Sequence, residues 1–171
     1  MTASRAAVLA TLNGVLGDHL EASENPLATS MQFCWQGQRA GMETAQIKAA
    51  YPSPQGKILL LVHGSCMNDL QWNQEGHDHG VALAKALGYT PIYLRYNSGR
   101  HNSDNGKELG QLLEVLYEKW PVPIEQLDIL AHSMGGLVSR SALHYGRQES
   151  QSWVACVRQI AFLGTPHHGA P

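Results

Sequence analysis

Long apolar runs are missing from this chain. No stretch approaches the ~18 consecutive apolar residues that a bilayer-crossing helix needs, so no integral membrane segment is expected. Charge is also scarce. Only 15% of residues are Asp, Glu, Lys or Arg, and 14 acidic against 12 basic side chains leave a formal net charge of -2. A near-balanced chain has no electrostatic footprint for nucleic acid or for an anionic membrane surface. Cysteine is rare and odd in number: Cys34, Cys66 and Cys156 are widely and irregularly spaced. They form neither a disulfide framework nor a metal pattern, and a reducing, cytoplasmic setting is the simpler reading. Internal repeats and low-complexity tracts are absent. Arg5 followed by Ala6-Ala7-Val8-Leu9-Ala10 imitates a signal peptide, but the apolar stretch is short and Asn13 and Asp18 interrupt it.

Enough apolar material is nonetheless present for a core. Hydrophobic residues are 43% of 171, which fits one domain. Residues 3 to 21 carry Val8, Leu9, Leu12, Leu16 and Leu20 at helical spacing and predict an amphipathic helix weakened by Gly14 and Gly17. Met31 to Gln38 reads as a short strand, one arm of a hairpin. These elements, with the Tyr51-Pro-Ser-Pro-Gln-Gly56 loop, make residues 1–56 an N-terminal helix and edge-strand region.

Residues 57–171 have a regular rhythm. Ile58-Leu59-Leu60-Leu61-Val62 is a continuous apolar run, as a strand buried on both faces requires. Strands over Lys57 to His63, Pro91 to Tyr96, Leu127 to Ala131 and Arg158 to Leu163 alternate with helices over His79 to Gly88, Gly106 to Trp120 and Met134 to Gly146. That alternation predicts an α/β fold with a mostly parallel sheet and helices on both faces. Ligands of such sheets sit at the carboxyl ends of the strands, so the chemistry is expected just after Val62, Tyr96, Ala131 and Leu163.

The unusual residues cluster there. Ala131-His132-Ser133-Met134-Gly135-Gly136 has the small-x-Ser-x-Gly pattern of a nucleophile elbow between a strand and a helix. The turn is strained, and a bulky side chain two residues to either side would clash. Ser133 is therefore the candidate nucleophile, and a left-handed or similarly rare backbone is expected at it. His132 is tempting as its base, but neighbours on a strand point to opposite sides, so a structural role is expected. Val62-His63-Gly64-Ser65-Cys66 follows the first strand. A tetrahedral oxyanion needs aimed donors, and the amides of Ser65 and Met134 are the candidates, with Cys66 second to Ser65.

On these residues the chain resembles the bacterial lipase and esterase branch of the α/β-hydrolases. The shared blocks are Leu-Val-His-Gly at 61–64, Ala-His-Ser-Met-Gly-Gly at 131–136 and Phe-Leu-Gly-Thr-Pro-His-His-Gly at 162–169. The last block also resembles hydrolases that deacylate the inositol of GPI anchors. The resemblance implies an α/β-hydrolase fold, incomplete at its C-terminus, and a carboxylic ester hydrolase working through an acyl-enzyme. It implies a small-molecule or lipid ester as substrate and no metal or organic cofactor.

The family's order is Ser, then Asp or Glu, then His. After Ser133 the chain has only Glu149 and His144, both on or beyond the nucleophile helix, and His167 and His168. Glu149 falls roughly 20 Å from Ser133 along that helix. His63, Gly64, His132, His167 and His168 are possible pocket residues, with His167 or His168 an alternative base. The expectation is an N-terminal fragment of a longer hydrolase; a catalytically incompetent fragment or binding module is the rival. Three further readings remain. Asp78 caps a helix rather than joining His77 and His79 at a metal. The 97–102 loop is either a substrate contact or a solvated turn. Trp72 and Trp120 are packing residues.

Overall fold

The computed structural model describes residues 3–169. In chain order it holds α1 (Ala3–Ala22), β1 (Gln32–Trp35), β2 (Gln38–Arg39), α2 (Thr44–Ala50), β3 (Lys57–Val62), β4 (Asn73–Gln74), β5 (His77–Asp78) and α3 (His79–Leu87). Then come β6 (Thr90–Arg95), α4 (Asn102–Lys119), β7 (Gln126–His132), α5 (Gly135–Gln148) and β8 (Val157–Leu163). The main sheet has six strands in the order β2-β1-β6-β3-β7-β8, while β4 and β5 form a separate small hairpin. Strands β6, β3, β7 and β8 run parallel, and the β1–β2 hairpin adds antiparallel at one edge.

The apolar run of β3 explains its central place. Ile58, Leu60 and Val62 join one core with Leu109, Leu113, Val138 and Ala142 of α4 and α5. Leu59 and Leu61 face the other way, into a smaller core with Trp72 and Tyr93 that Leu83 of α3 flanks. Helices thus cover both faces, as the alternation predicts. Stop signals act where expected: Gly88 ends α3 in the left-handed conformation at φ 76°, a backbone that glycine adopts without steric cost. Asp78 caps the start of α3 by accepting the Val81 amide at 2.9 Å. Trp120 is buried and donates its indole N–H to the Gln55 carbonyl at 3.0 Å; Trp72 is buried too.

The long helix α1 departs from the amphipathic reading. Its buried face is Ala6, Ala10, Asn13, Gly17 and Leu20, whereas Val8 and Val15 are 69% and 71% exposed and Leu16 is also exposed. Close approach outweighs side-chain hydrophobicity here. A Cβ on Gly17 would come within 2.0 Å of Asn97 Oδ1, and one on Gly14 within 2.4 Å of Cys66 Sγ. The helix kinks at Leu16 (φ -119°, ψ 15°). Asn13 adds polar ties, donating to the Leu9 and Leu27 carbonyls and accepting the Thr29 amide. The glycines are therefore contact points that lay α1 across the loops at the carboxyl end of the sheet.

At the far edge, β8 pairs with β7 alone among the described residues. Phe162 and Leu163 on it are 37% and 45% exposed.

Candidate active site

Strand β7 ends at His132, α5 starts at Gly135, and Ser133 lies in the turn between them with φ 50°. This left-handed backbone at a residue with a Cβ is the strain expected of the turn. The neighbours show what sustains it. Ala131 is completely buried. A Cβ on Gly135 would meet the His63 and Val62 carbonyl oxygens at 2.5 and 2.6 Å, and one on Gly136 would meet Thr165 Oγ1 at 2.1 Å. The turn is thus wedged between the end of β3 and the loop after β8. The Ser133 amide donates to the Leu163 carbonyl at 2.8 Å, tying the turn to β8 as well. Being at the N-terminus of α5, the turn presents amides that lack intrahelical acceptors and the positive end of the helix dipole.

The segment after β3 abuts this turn. A Cβ on Gly64 would lie 3.0 Å from Ser133 Cβ and 2.9 Å from His132 Nδ1. Ser65 is exposed, and Cys66 is a second strained residue at φ 58°. The Cys66 amide donates to Ser98 Oγ at 3.0 Å.

The expected pocket residues divide. His63 lines nothing: it is fully buried, stacked on Tyr96 at 4.3 Å between ring centroids. Its Nδ1 faces the Gly64 carbonyl at 2.9 Å and its Nε2 accepts the Tyr96 amide at 3.4 Å. Tyr96 also donates its hydroxyl to the His63 carbonyl at 2.8 Å. Burial pushes the His63 imidazole down to about 4, so it is neutral and structural. Gly64 is buried against the turn instead of lining a cavity. His132 does line one. A cavity of about 590 Å³ lies beside α3, walled by Trp72, Leu83, Leu130, His132 and Leu163 among others. His132 Nδ1 is buried with no hydrogen-bond partner among the described residues.

His167 and His168 do not line that cavity. His167 is exposed and its Nδ1 accepts from Arg140 Nη1 at 3.0 Å, while Phe162 meets the ring edge-on at 4.7 Å. Arginine has no acceptor, so the neutral ring carries its proton on Nε2 and offers no lone pair there. His168 is exposed as well. Glu149 caps the far end of α5 and accepts from Gln151 at 2.9 Å. Among the described residues Ser133 Oγ has no hydrogen-bond partner, and no three His, Cys, Asp or Glu side chains converge to hold a metal ion. No helix of the described residues is long and apolar enough to cross a membrane.

The 97–102 loop is neither a solvated turn nor an open substrate contact at its start. Asn97 and Ser98 are 2% and 5% exposed. Sequence reasoning missed their role because their partners, Gly17 and Cys66, are remote in the chain and no short-range pattern marks them.

A profile of the DUF7379 family, described as a domain of unknown function, matches residues 24–171, and the chain belongs to that family. The structure is similar to a Bacillus licheniformis lipase, BlEst2, solved in propeptide and mature forms. Both likenesses have 26% identity and a TM-score of 0.54, and both cover 68% of this chain. The chain spans 24% of the propeptide form and 44% of the mature form. No curated protein matches the chain.

Proposed function

We propose that this DUF7379 chain carries the nucleophile half of a serine hydrolase acting on carboxylic esters, with Ser133 as nucleophile. The observation that carries the reading is the left-handed Ser133 between β7 and α5, with Gly64 packed against it. The likeness to a lipase supports it. In this reading Ser133 Oγ attacks the ester carbonyl, and the Ser65 and Met134 amides hold the oxygen that becomes negative. The alcohol leaves with the serine proton, and water then releases the acid from the acyl-enzyme. No histidine among the described residues reaches Ser133 Oγ, so the reading assigns the general base to a group outside them.

The test is labelling by a fluorophosphonate, located by peptide mass spectrometry, beside turnover of p-nitrophenyl butyrate. Ser133 is expected to label slowly, and Ser133→Ala to abolish labelling. Turnover is expected to be poor, since loss of triad members leaves only ~10³–10⁴-fold acceleration over water. Brisk turnover abolished by His167→Ala or His168→Ala would show that the loop after β8 supplies the base. The rival reading, a non-catalytic member of the family, draws on the unpartnered Ser133 hydroxyl. It predicts no labelling of Ser133 at all.

A further inference from the structure

Ser133 at φ 50° and Cys66 at φ 58° both hold left-handed backbones, each with a Cβ, at the carboxyl end of the sheet. Such a conformation is disfavoured for a residue with a Cβ and persists only where surrounding contacts over-determine it. At Ser133 the wedge between β3 and the loop after β8 does so. At Cys66 the contacts come from elsewhere. Its amide is held by Ser98 Oγ at 3.0 Å, and α1 presses on it where Gly14 leaves room.

The residue before Ser98 is held from behind. Asn97 donates its side-chain amide to the Gly17 carbonyl at 3.0 Å and accepts the Gly99 amide at 3.0 Å. Asn105 donates to the Asn97 carbonyl at 2.9 Å. One residue earlier, Tyr96 grips His63 through its hydroxyl and its amide. The segment after β6 thus grips the segment after β3 at both its ends, His63 by Tyr96 and Cys66 by Ser98. Hydrophobic burial does not require a hydroxyl at position 98; the Cys66 amide does.

We propose that Ser98 is a positioning residue, whose hydroxyl anchors the Cys66 amide and so sets the Gly64–Cys66 segment for holding the oxyanion beside Ser133. The role rests on the serine hydrolase reading above. The anchor has a chemical consequence. Because Ser98 occupies the Cys66 amide, that amide does not face a substrate, and Ser65 is left as the donor from this segment. Ser98 touches neither the nucleophile nor the reacting carbonyl; it acts through the backbone of Cys66.

The test uses the whole chain with Ser98→Ala and Ser98→Thr and two readouts. The first is the rate of Cys66 alkylation by iodoacetamide, resolved by peptide mass spectrometry, with the buried Cys34 as internal control. Ser98→Ala is expected to speed Cys66 roughly tenfold, as loss of a bond to a buried amide implies, while Cys34 stays silent. The second is the rate of Ser133 phosphonylation, which is expected to fall roughly tenfold or more, since removal of a donor to the developing charge costs ~10²–10³. Ser98→Thr keeps the hydroxyl and should restore both rates. An unchanged Cys66 rate in Ser98→Ala would remove the anchor. A faster Cys66 with unchanged phosphonylation would leave Ser98 a merely structural residue and overturn the proposal. If Cys34 becomes reactive in Ser98→Ala, the fold has loosened, and Ser98→Thr then decides: failure to restore both rates overturns the role. Absence of Ser133 labelling in the native chain would sink the hydrolase reading and this role with it, while the Cys66 rates would still report on the anchor alone.

Discussion

Two sets of loops meet at the carboxyl end of the sheet, and they are built differently. The segments 63–66, 96–98 and 131–136 are largely buried and tied to one another through His63, Tyr96, Ser98 and the wedged glycines. The loop after β8 is mostly exposed, and the side chain of His167 hangs on Arg140. The difference separates two demands. In the proposed serine hydrolase reading, donors that stabilise a developing charge must be fixed before the reaction begins, which buried polar ties would provide. A base must offer a free lone pair, and the neutral imidazole of His167, its Nδ1 taken by a guanidinium, offers none.

The largest test of this contrast is Gly135→Val. A Cβ there would strike two backbone carbonyls of β3 and its extension, and backbone cannot rotate aside. A loss of at least about 3 kcal/mol in urea-unfolding free energy is expected. A loss below about 1 kcal/mol would mean that the turn is not wedged.

Acidification should act on the same buried region with a comparable effect. Folded His63 titrates at about 4, because burial disfavours the imidazolium, against an ordinary 6.5. On acidification the unfolded chain takes up this proton first. The stability linked to His63 is therefore fully present above about pH 6.5 and lost progressively towards pH 4, by up to about 3 kcal/mol. Urea midpoints across that window measure it, and His63→Gln, with no proton to take up, should flatten the dependence.

Tyr96→Phe sharpens the comparison at smaller scale. It strands the buried His63 carbonyl and should cost about 1–2 kcal/mol, read by thermal unfolding. The smallest effects belong to the exposed loop. His167→Ala and Arg140→Ala should each change stability by less than about 0.5 kcal/mol; a larger change in either would erase the distinction between the two sets of loops.

The legible parts of this molecule were those governed by local rules. The unbroken apolar run Ile58–Val62 marks a strand covered on both faces, and β3 sits at the sheet centre because nothing polar interrupts it. The small residues around Ser133 mark a crowded turn, and the Val62 and His63 carbonyls crowd it. The propensities start α4 at Gly106, because Asn102 to Asn105 look like loop; the helix starts at Asn102, and buried Asn105 bonds the Asn97 carbonyl, a tertiary reason invisible in the propensities. The apolar spacing of α1 points Val8 and Leu16 inward along with Leu20, but only Leu20 is buried, because Gly17 and Asn13 carry much of its packing. The sequence reads Ser98 as part of a substrate-contacting or solvated loop, because its partner Cys66 is one that only folding brings near.

The β8 edge has a consequence for how the chain behaves in bulk. The opposite margin of the sheet closes with the two-residue β2, which offers little to a newcomer. Strand β8 is seven residues long, Val-Arg-Gln-Ile-Ala-Phe-Leu, with one charge and neither proline nor lysine to deter pairing. Its outer backbone groups form a ready template for strand addition. Where no further strand covers it, this margin invites a neighbouring strand, and a single charge at Ile160 should weaken such pairing.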